Sequence, residues 1–192
     1  MRQFLHTAAI RFLVFLALTM PAGAGWSNGQ WSAFVALGAM TTNTWHEALT
    51  PGQTDFAGSG ILAGGVTWER PIGGSRYRWG VEAILLGHTG RQDHFELSVP
   101  VVLRYVPRRS RAITSVAAGL GLSYATKVPQ VEIDRNGASQ RLYVHWMAEV
   151  EFATRRTDLT TFFRVHHRSD GYGLFEVDAG STGLLVGLRR SF

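Results

Sequence analysis

The amino-acid sequence predicts an all-β fold, an eight-stranded antiparallel transmembrane β-barrel. Apolar and polar residues alternate repeatedly with a period of two, which places one kind of side chain on each face of a strand. In the clearest case the odd-numbered positions of 95–105 are all apolar, and the even-numbered ones include Glu96 and Arg104. Eight segments of about this length, an even number separated by turn residues, are typical of membrane barrels.

A separate leader precedes the predicted barrel. Arg2 comes before an apolar run at 12–18, and Ala-Gly-Ala at 22–24 forms a small-residue cleavage site. This pattern predicts a secretory signal peptide at 1–24, with the outer-membrane barrel at 25–192. A membrane-anchor helix is the alternative interpretation, but the apolar run is too short to cross ~30 Å of hydrocarbon.

The predicted strands are joined by connections that are alternately short and long, with 88–91 as the exception. Short periplasmic turns and longer outer loops are typical of outer-membrane barrels with both termini inside. An even strand number also lets the sheet close, which removes exposed strand edges. We expect strands at 29–41, 57–70, 76–88, 92–106, 111–124, 141–155, 158–168 and 182–192.

Aromatic residues lie where the membrane boundaries are expected. Girdles of aromatic side chains at both interfaces are typical of membrane barrels. The last strand alternates and ends on Phe192, and in this it resembles bacterial outer-membrane barrels. We therefore expect the protein in the bacterial outer membrane. The aromatic residues near predicted strand ends are Trp26, Trp31, Trp68, Trp79 and Tyr105.

The composition narrows the classes of partner. The formal net charge is +5, but arginines concentrate in short turns at 108–111 and 155–156 instead of interleaving with aromatic residues. This distribution argues against a nucleic-acid surface and favours anionic lipid. The chain has no cysteine, so neither disulfides nor thiolate metal sites are available to it.

The charged face of the strands is expected to point into the barrel. An eight-stranded barrel is just wide enough inside for side chains to fill it. Opposite charges occur on neighbouring predicted strands, which predicts a packed ionic lattice and argues against a pore. The expected interior residues are Arg78, Glu82, Glu96, Arg104, Glu149, Glu151, Arg164 and Arg189.

The seventh predicted strand carries the residues that suggest chemistry. His167 and Ser169 are two positions apart, so both side chains point to the same face. Arg164 and His166 have the opposite parity and are expected inside the barrel, which places His167 and Ser169 outside at the outer rim. Polar side chains that face lipid are energetically unfavourable, and where they occur they commonly serve a function. Ser169-Asp170-Gly171 is also an ordinary turn sequence.

The stretch from Arg164 to Ser169, continuing through the final strand to Phe192, resembles the PagL-type lipid A 3-O-deacylases. These are eight-stranded outer-membrane esterases with a His-x-Ser pair near the outer rim. The resemblance implies that Ser169 is the nucleophile and His167 the general base in hydrolysis of an ester-linked acyl chain of lipopolysaccharide. It implies lipid A of the outer leaflet as the substrate.

The third member of such a site is a carboxylate that orients the histidine. Glu176 and Asp178 are the candidates, and Glu176 is preferred because the family uses glutamate. The family's usual spacing from the serine falls here on Ser181. The family also has asparagine after the serine, where this chain has Asp170, whose charge would oppose an oxyanion.

Several alternatives remain open. The main one is a non-catalytic structural or adhesion barrel of the outer membrane, and another is a soluble secreted barrel or sandwich. An acyl transferase that holds its acyl chain inside the barrel is disfavoured by the interior charges. No cofactor is implied. Because His88, His94 and His145 show no histidine–carboxylate spacing typical of ligands, no metal is expected. A homodimer is left open.

Overall fold

The computed structural model describes residues 29–110 and 112–192, and these form a closed antiparallel barrel in the strand order β1 to β8. Each strand pairs with the next, and β8 pairs back onto β1. The predicted signal peptide at 1–24 lies outside the described residues. The strands are β1 Gln30–Thr41, β2 Phe56–Pro71, β3 Tyr77–Gly90, β4 Phe95–Tyr105, β5 Ile113–Ala125, β6 Leu142–Ala153, β7 Leu159–Ser169 and β8 Gly180–Ser191.

The predicted fold class is confirmed, and the strand bounds agree closely with the expected ones. The largest difference is at β4, which begins at Phe95 and not at residue 92. Two short helices were not predicted, namely α1 at Trp45–Ala48 and α2 at Gln130–Asn136. Neither helix of the described chain is long and apolar enough to span a membrane.

The two ends of the barrel differ in their connections. One end carries residues 42–55, 91–94, 126–141 and 170–179, including both helices, and is called the loop end. The opposite end carries the shorter connections after β2, β4 and β6 and is called the turn end. The 91–94 connection is short although it lies at the loop end, as its sequence indicated.

The outer face of the barrel is apolar and the inner face is polar, as predicted. On β4, Val101 is 56% exposed and Leu97 is 49% exposed, while Glu96 and Arg104 are buried. Aromatic pairs such as Trp68 and Trp79 pack edge to face near the turn end. An apolar outer wall on a closed sheet is what a lipid bilayer requires, and a polar interior is typical of membrane barrels.

The predicted ionic lattice fills the turn-end half of the interior. Arg164 Nη1 lies 2.8 Å from Glu82 Oε1, and Arg164 Nη2 lies 2.6 Å from Glu149 Oε2. Arg189 Nη2 lies 3.1 Å from both of the same carboxylates. Because each buried charge has an opposite charge beside it, the cost of desolvation is offset within the lattice. Its members are Arg78, Arg104, Arg164, Arg189, Glu69, Glu82, Glu149 and Glu151.

The interior also contains an apolar cluster that the sequence did not predict. Phe34 and Phe162 meet edge to face with ring centroids 5.6 Å apart. The guanidinium groups of Arg164 and Arg189, which belong to the ionic lattice, pack on the Phe34 ring. The apolar cluster lies mainly against β1, β2 and β3. Its members are Phe34, Ala36, Met40, Ala57, Ile61, Ala63, Ile84, Leu86, Val131, Phe162 and Leu185.

Gly187 allows Phe162 to occupy the interior. A Cβ added at Gly187 would lie 2.4 Å from Phe162 Cζ and 2.4 Å from the backbone oxygen of Val35. Gly187→Ala is therefore expected to lower the free energy of unfolding by about 1–3 kcal/mol through overpacking. Urea unfolding of the barrel in lipid vesicles measures this change. Gly74→Ala is the control, since its Cβ would meet nothing within 4 Å, and an equal loss in both variants would contradict the explanation.

Candidate active site at the loop end of β7

The two adjacent histidines of β7 lie on opposite walls of the barrel. His166 points into the interior, where its Nε2 lies 2.8 Å from Glu96 Oε1. His167 points outward and is the cross-strand neighbour of Trp146 on β6 and Thr182 on β8. The alternation along β7 therefore separates an interior imidazole from one on the membrane side.

His167 is held in place by contacts on the outer face. Its Nδ1 lies 3.0 Å from the Thr182 hydroxyl oxygen. Its ring centroid lies 5.0 Å from that of Trp146, and Trp45 of α1 packs edge to face on Trp146 at 5.7 Å. The whole residue His167 is only 9% exposed. These contacts fix the imidazole orientation under an aromatic cover.

Ser169 ends β7 and precedes a sharply turned loop. The backbone N–H of Gly171 donates to Ser169 Oγ over 3.4 Å. Gly171, Tyr172 and Gly173 all have positive φ, and Tyr172 at φ 61° is the non-glycine residue among them. A non-glycine residue in this region is uncommon and costs about 1–3 kcal/mol when the backbone is strained. The loop thus aims a backbone N–H at the serine oxygen.

The hydroxyl and the imidazole share a face without a hydrogen bond between them. None of the hydrogen bonds among the described residues joins His167 to Ser169. Cα atoms two residues apart in a strand are separated by about 6.5–7 Å, so a side-chain rotation or a bound substrate is needed to bring the two groups together. Catalytic hydrogen bonds are often long in free enzymes and tighten with substrate.

The candidate carboxylates lie away from His167. Glu176 and Asp178 are exposed in the loop between β7 and β8, and neither forms a hydrogen bond or ion pair with His167 within the described chain. Ser181, which the family spacing indicated, faces the interior and donates to Glu132 Oε1 over 2.7 Å. The group that contacts His167 Nδ1 is the hydroxyl of Thr182, which sequence reasoning missed.

Asp170 is engaged by its own loop. Its Oδ2 accepts a hydrogen bond from the backbone N–H of Gly173 at 2.5 Å, and its backbone oxygen accepts from Phe175. The carboxylate is therefore used in closing the turn after Ser169. Its charge is partly satisfied by the Gly173 N–H donor and does not stand free beside the serine.

Arg168 is buried inside the barrel, on the same face of β7 as Arg164 and His166, and it contacts the helix α2 at the loop end. Its Nε lies 2.9 Å from Glu132 Oε1 of α2, and its guanidinium lies over the Tyr143 ring at 5.1 Å. Burial raises the pKa of the Glu132 carboxyl, and the adjacent Arg168 opposes that shift. Asn136 of α2 also donates to the backbone oxygen of Gly180. Together these contacts hold α2 beside the start of β8.

Comparison with known proteins gives a likeness at the level of the fold. No protein-family model matches the chain, and no curated protein matches it by sequence. The outer membrane enzyme PagL is similar in structure with a TM-score of 0.56 at 16% sequence identity, covering 83% of this chain and 98% of that one. Neisserial surface protein A (NspA) is similar with a TM-score of 0.53 at 14% identity, covering 86% of this chain and 98% of that one. At these identities the fold alone is established.

Proposed function

We propose that this protein is an outer-membrane esterase that removes an ester-linked acyl chain, the 3-O chain, from lipid A in the outer leaflet. The observation that carries the proposal is the position of His167, which is fixed by Thr182 on the membrane-facing wall two residues from Ser169. The outer membrane enzyme PagL has a similar fold, which is compatible with an enzyme on this barrel.

The location follows from the outer wall of the barrel. An exposed apolar belt on closed strands suits a bilayer, and bacterial outer membranes are where antiparallel barrels with long outer loops occur. The loop end, where Ser169 lies, then faces the outer leaflet. Since the interior is filled by the ionic lattice and the apolar cluster, the substrate enters sideways from the membrane.

The chemistry assigned to the pair is acyl transfer to serine followed by hydrolysis. Ser169 Oγ forms a bond to the ester carbonyl carbon while His167 Nε2 takes the hydroxyl proton. The bond to the sugar oxygen then breaks, and His167 returns the proton to that oxygen. Water then attacks the acyl-serine while His167 Nε2 takes its proton, the bond between the acyl carbon and Ser169 Oγ breaks, and His167 returns the proton to Oγ, which releases the fatty acid and restores the serine hydroxyl.

The orienting role beside His167 is assigned to Thr182. With Nδ1–H donating to the Thr182 hydroxyl, Nε2 is left unprotonated as a base. A neutral hydroxyl is compatible with this tautomer, since it can accept from Nδ1–H, but it stabilises the imidazolium less than a carboxylate would. Glu176 is the second candidate for the role, followed by Asp178, and each would require the 170–179 loop to move.

The oxyanion is assigned to the backbone N–H of Gly171. This donor already approaches Ser169 Oγ, and a backbone N–H near the nucleophile is the usual stabiliser of a tetrahedral oxyanion. The Asp170 carboxylate interferes less than its sequence position suggested, because it accepts from the Gly173 N–H.

Mass spectrometry of lipid A from cells that express the barrel tests the proposal. Wild type is expected to produce lipid A lacking one hydroxyacyl chain, and Ser169→Ala is expected to leave lipid A unchanged because the nucleophile is lost. Ser191→Ala, at the other end of the barrel, is the matched control and should behave as wild type. Unmodified lipid A with all three proteins would contradict the proposal.

The rival function is a non-catalytic surface or structural barrel. Two observations favour it, namely the fold likeness to NspA and the absence of a hydrogen bond between His167 and Ser169 in the described chain. Under this function the loops at 42–55, 126–141 and 170–179 form the binding or adhesion surface, and Ser169 is replaceable.

A third outcome of the same spectra, lipid A that has gained an acyl chain, would indicate an acyl transferase instead.

The roles of Thr182 and Glu176 can be separated by substitution. Thr182→Val keeps the shape but removes the hydroxyl, and it is expected to lower kcat about tenfold, the equivalent of one neutral hydrogen bond. Glu176→Gln is expected to leave kcat unchanged, since Glu176 does not contact His167. Initial rates on purified lipopolysaccharide in detergent measure both. The reverse pattern would reassign the orienting role to Glu176.

A further inference from the structure

A second group of polar side chains lies inside the barrel near the loop end, on the opposite side of the wall from His167. His88 lies near the end of β3, and Glu96 lies near the start of β4. His94 lies in the 91–94 connection between these two strands. All three side chains are buried, and one ligand atom from each lies within 4.8 Å of the others. The β3–β4 hairpin therefore brings two imidazoles and a carboxylate together.

Two of these groups contact each other at a distance that suits both a hydrogen bond and a shared metal ion. His88 Nε2 lies 3.2 Å from Glu96 Oε2. For ligand bonds of about 2.0 Å, the edge of a tetrahedron around zinc is about 3.3 Å. The Gln92 side chain contacts His88 Nδ1 at 2.8 Å, so that the other ring nitrogen is aimed at Glu96. Outer contacts of this kind orient metal-ligating histidines.

His94 supplies an independent indication of a ligand. It is 5% exposed, and its Nε2 is buried without a hydrogen-bond partner among residues 29–110 and 112–192. Its ring lies against that of His88 with centroids 4.4 Å apart and planes 15° apart, so one of the two rings must turn for both to point at one ion. A buried imidazole nitrogen with no partner loses its hydrogen bond to water without compensation. A metal ion bound at this nitrogen would remove that cost.

Glu96 is the negatively charged member of the group. The guanidinium of Arg168 is 4.0 Å from Glu96 Oε2, but its Nε lies closer, at 2.9 Å, to Glu132. The other contacts of Glu96 are His88, His166 and the hydroxyls of Ser98 and Ser123. Unlike the glutamates of the ionic lattice, Glu96 has no guanidinium nitrogen closer than 4.0 Å within the described part of the chain.

We propose that His88, His94 and Glu96 bind a zinc ion or a similar divalent transition metal inside the loop end of the barrel. Two imidazoles and one carboxylate suit Zn²⁺, whereas Mg²⁺ and Ca²⁺ prefer sites made of oxygen alone. The ion would tie the end of β3, the 91–94 connection and the start of β4 together. The site is on the interior wall, so the proposal does not depend on His167 or Ser169.

Metal analysis of the purified full barrel in detergent tests the proposal. Apo protein prepared with a chelator is incubated with ZnCl₂, desalted and measured by elemental mass spectrometry and calorimetry. Wild type is expected to retain one zinc per barrel, and X-ray absorption should show nitrogen and oxygen ligands at about 2.0 Å. Zinc should also raise the unfolding temperature of wild type.

His94→Gln is the decisive variant, because its Nε2 has no protein partner to lose. It should weaken zinc binding at least about 100-fold, since one of three protein ligands is removed. His46→Gln, exposed on α1, and His145→Gln, buried in the same interior, are matched controls and should bind as wild type. Heat-modified migration on gels checks that each variant is folded. No retained zinc in wild type, or equal retention in His94→Gln, would overturn the proposal.

Discussion

His167→Gln is expected to lower the rate of the proposed lipid A deacylation by about 10²- to 10⁴-fold, the usual contribution of a general acid–base group. Glutamine fills a similar volume and can still contact Thr182, but it cannot take and return a proton. The loss should fall on kcat with little change in KM, because the imidazole acts on the reacting atoms. Initial rates on lipopolysaccharide in detergent micelles measure it.

The adjacent histidine provides a matched control. His166 has the same residue type and the same strand but faces the interior and contacts Glu96. His166→Gln is expected to keep the deacylation rate within a few-fold of wild type, provided the barrel is folded. Equal losses in both variants would indicate a structural effect and count against the assignment of His167 as the base.

Glu149→Gln is expected to produce the largest loss of stability among substitutions in the barrel. Its carboxylate lies 2.6 Å from Arg164, 3.1 Å from Arg189 and 3.1 Å from Arg104, and it is almost fully buried. Removing the charge leaves three guanidinium groups with less compensation in the interior. Breaking a buried ion pair in this way typically costs about 3–5 kcal/mol.

Urea unfolding in lipid vesicles measures the effect of Glu149→Gln. Asp158→Asn is the control, since Asp158 pairs with Arg156 at the surface over 2.9 Å. Exposed ion pairs are screened by water, so this variant should change the free energy of unfolding far less. An equal loss in the free energy of unfolding of the two variants would show that the buried ion pairs of Glu149 stabilise the barrel no more than an exposed ion pair does.

The strands could be predicted from the sequence because a membrane barrel repeats one simple constraint. Each strand must place apolar side chains toward lipid and polar ones inside, and that alternation is visible residue by residue in β4 and β6. The helices α1 and α2 were missed because they are short. Residues such as Glu132 stabilise α2 through contacts with distant strands, which local periodicity does not report.

The candidate site was predicted only in part for the same reason. The outward direction of His167 follows from parity along β7. The contact with Thr182 depends on the register between β7 and β8, which the conformation of the 170–179 loop fixes. The contact between His88 and Glu96 could not be found from sequence spacing, because the two residues meet across the β3–β4 hairpin and not along one strand. The clue in the sequence was His94 and Glu96, two positions apart, beside a short connection.

The lattice joins strands that are not neighbours in the sheet. Glu82 on β3 meets Arg164 on β7 and Arg189 on β8, while Glu149 on β6 meets Arg104 on β4. A hairpin or half-formed sheet cannot make these pairs, and it would carry their charges into the bilayer unneutralised. Assembly into the membrane should therefore be all-or-none, with charge neutralisation completed only when β8 joins β1.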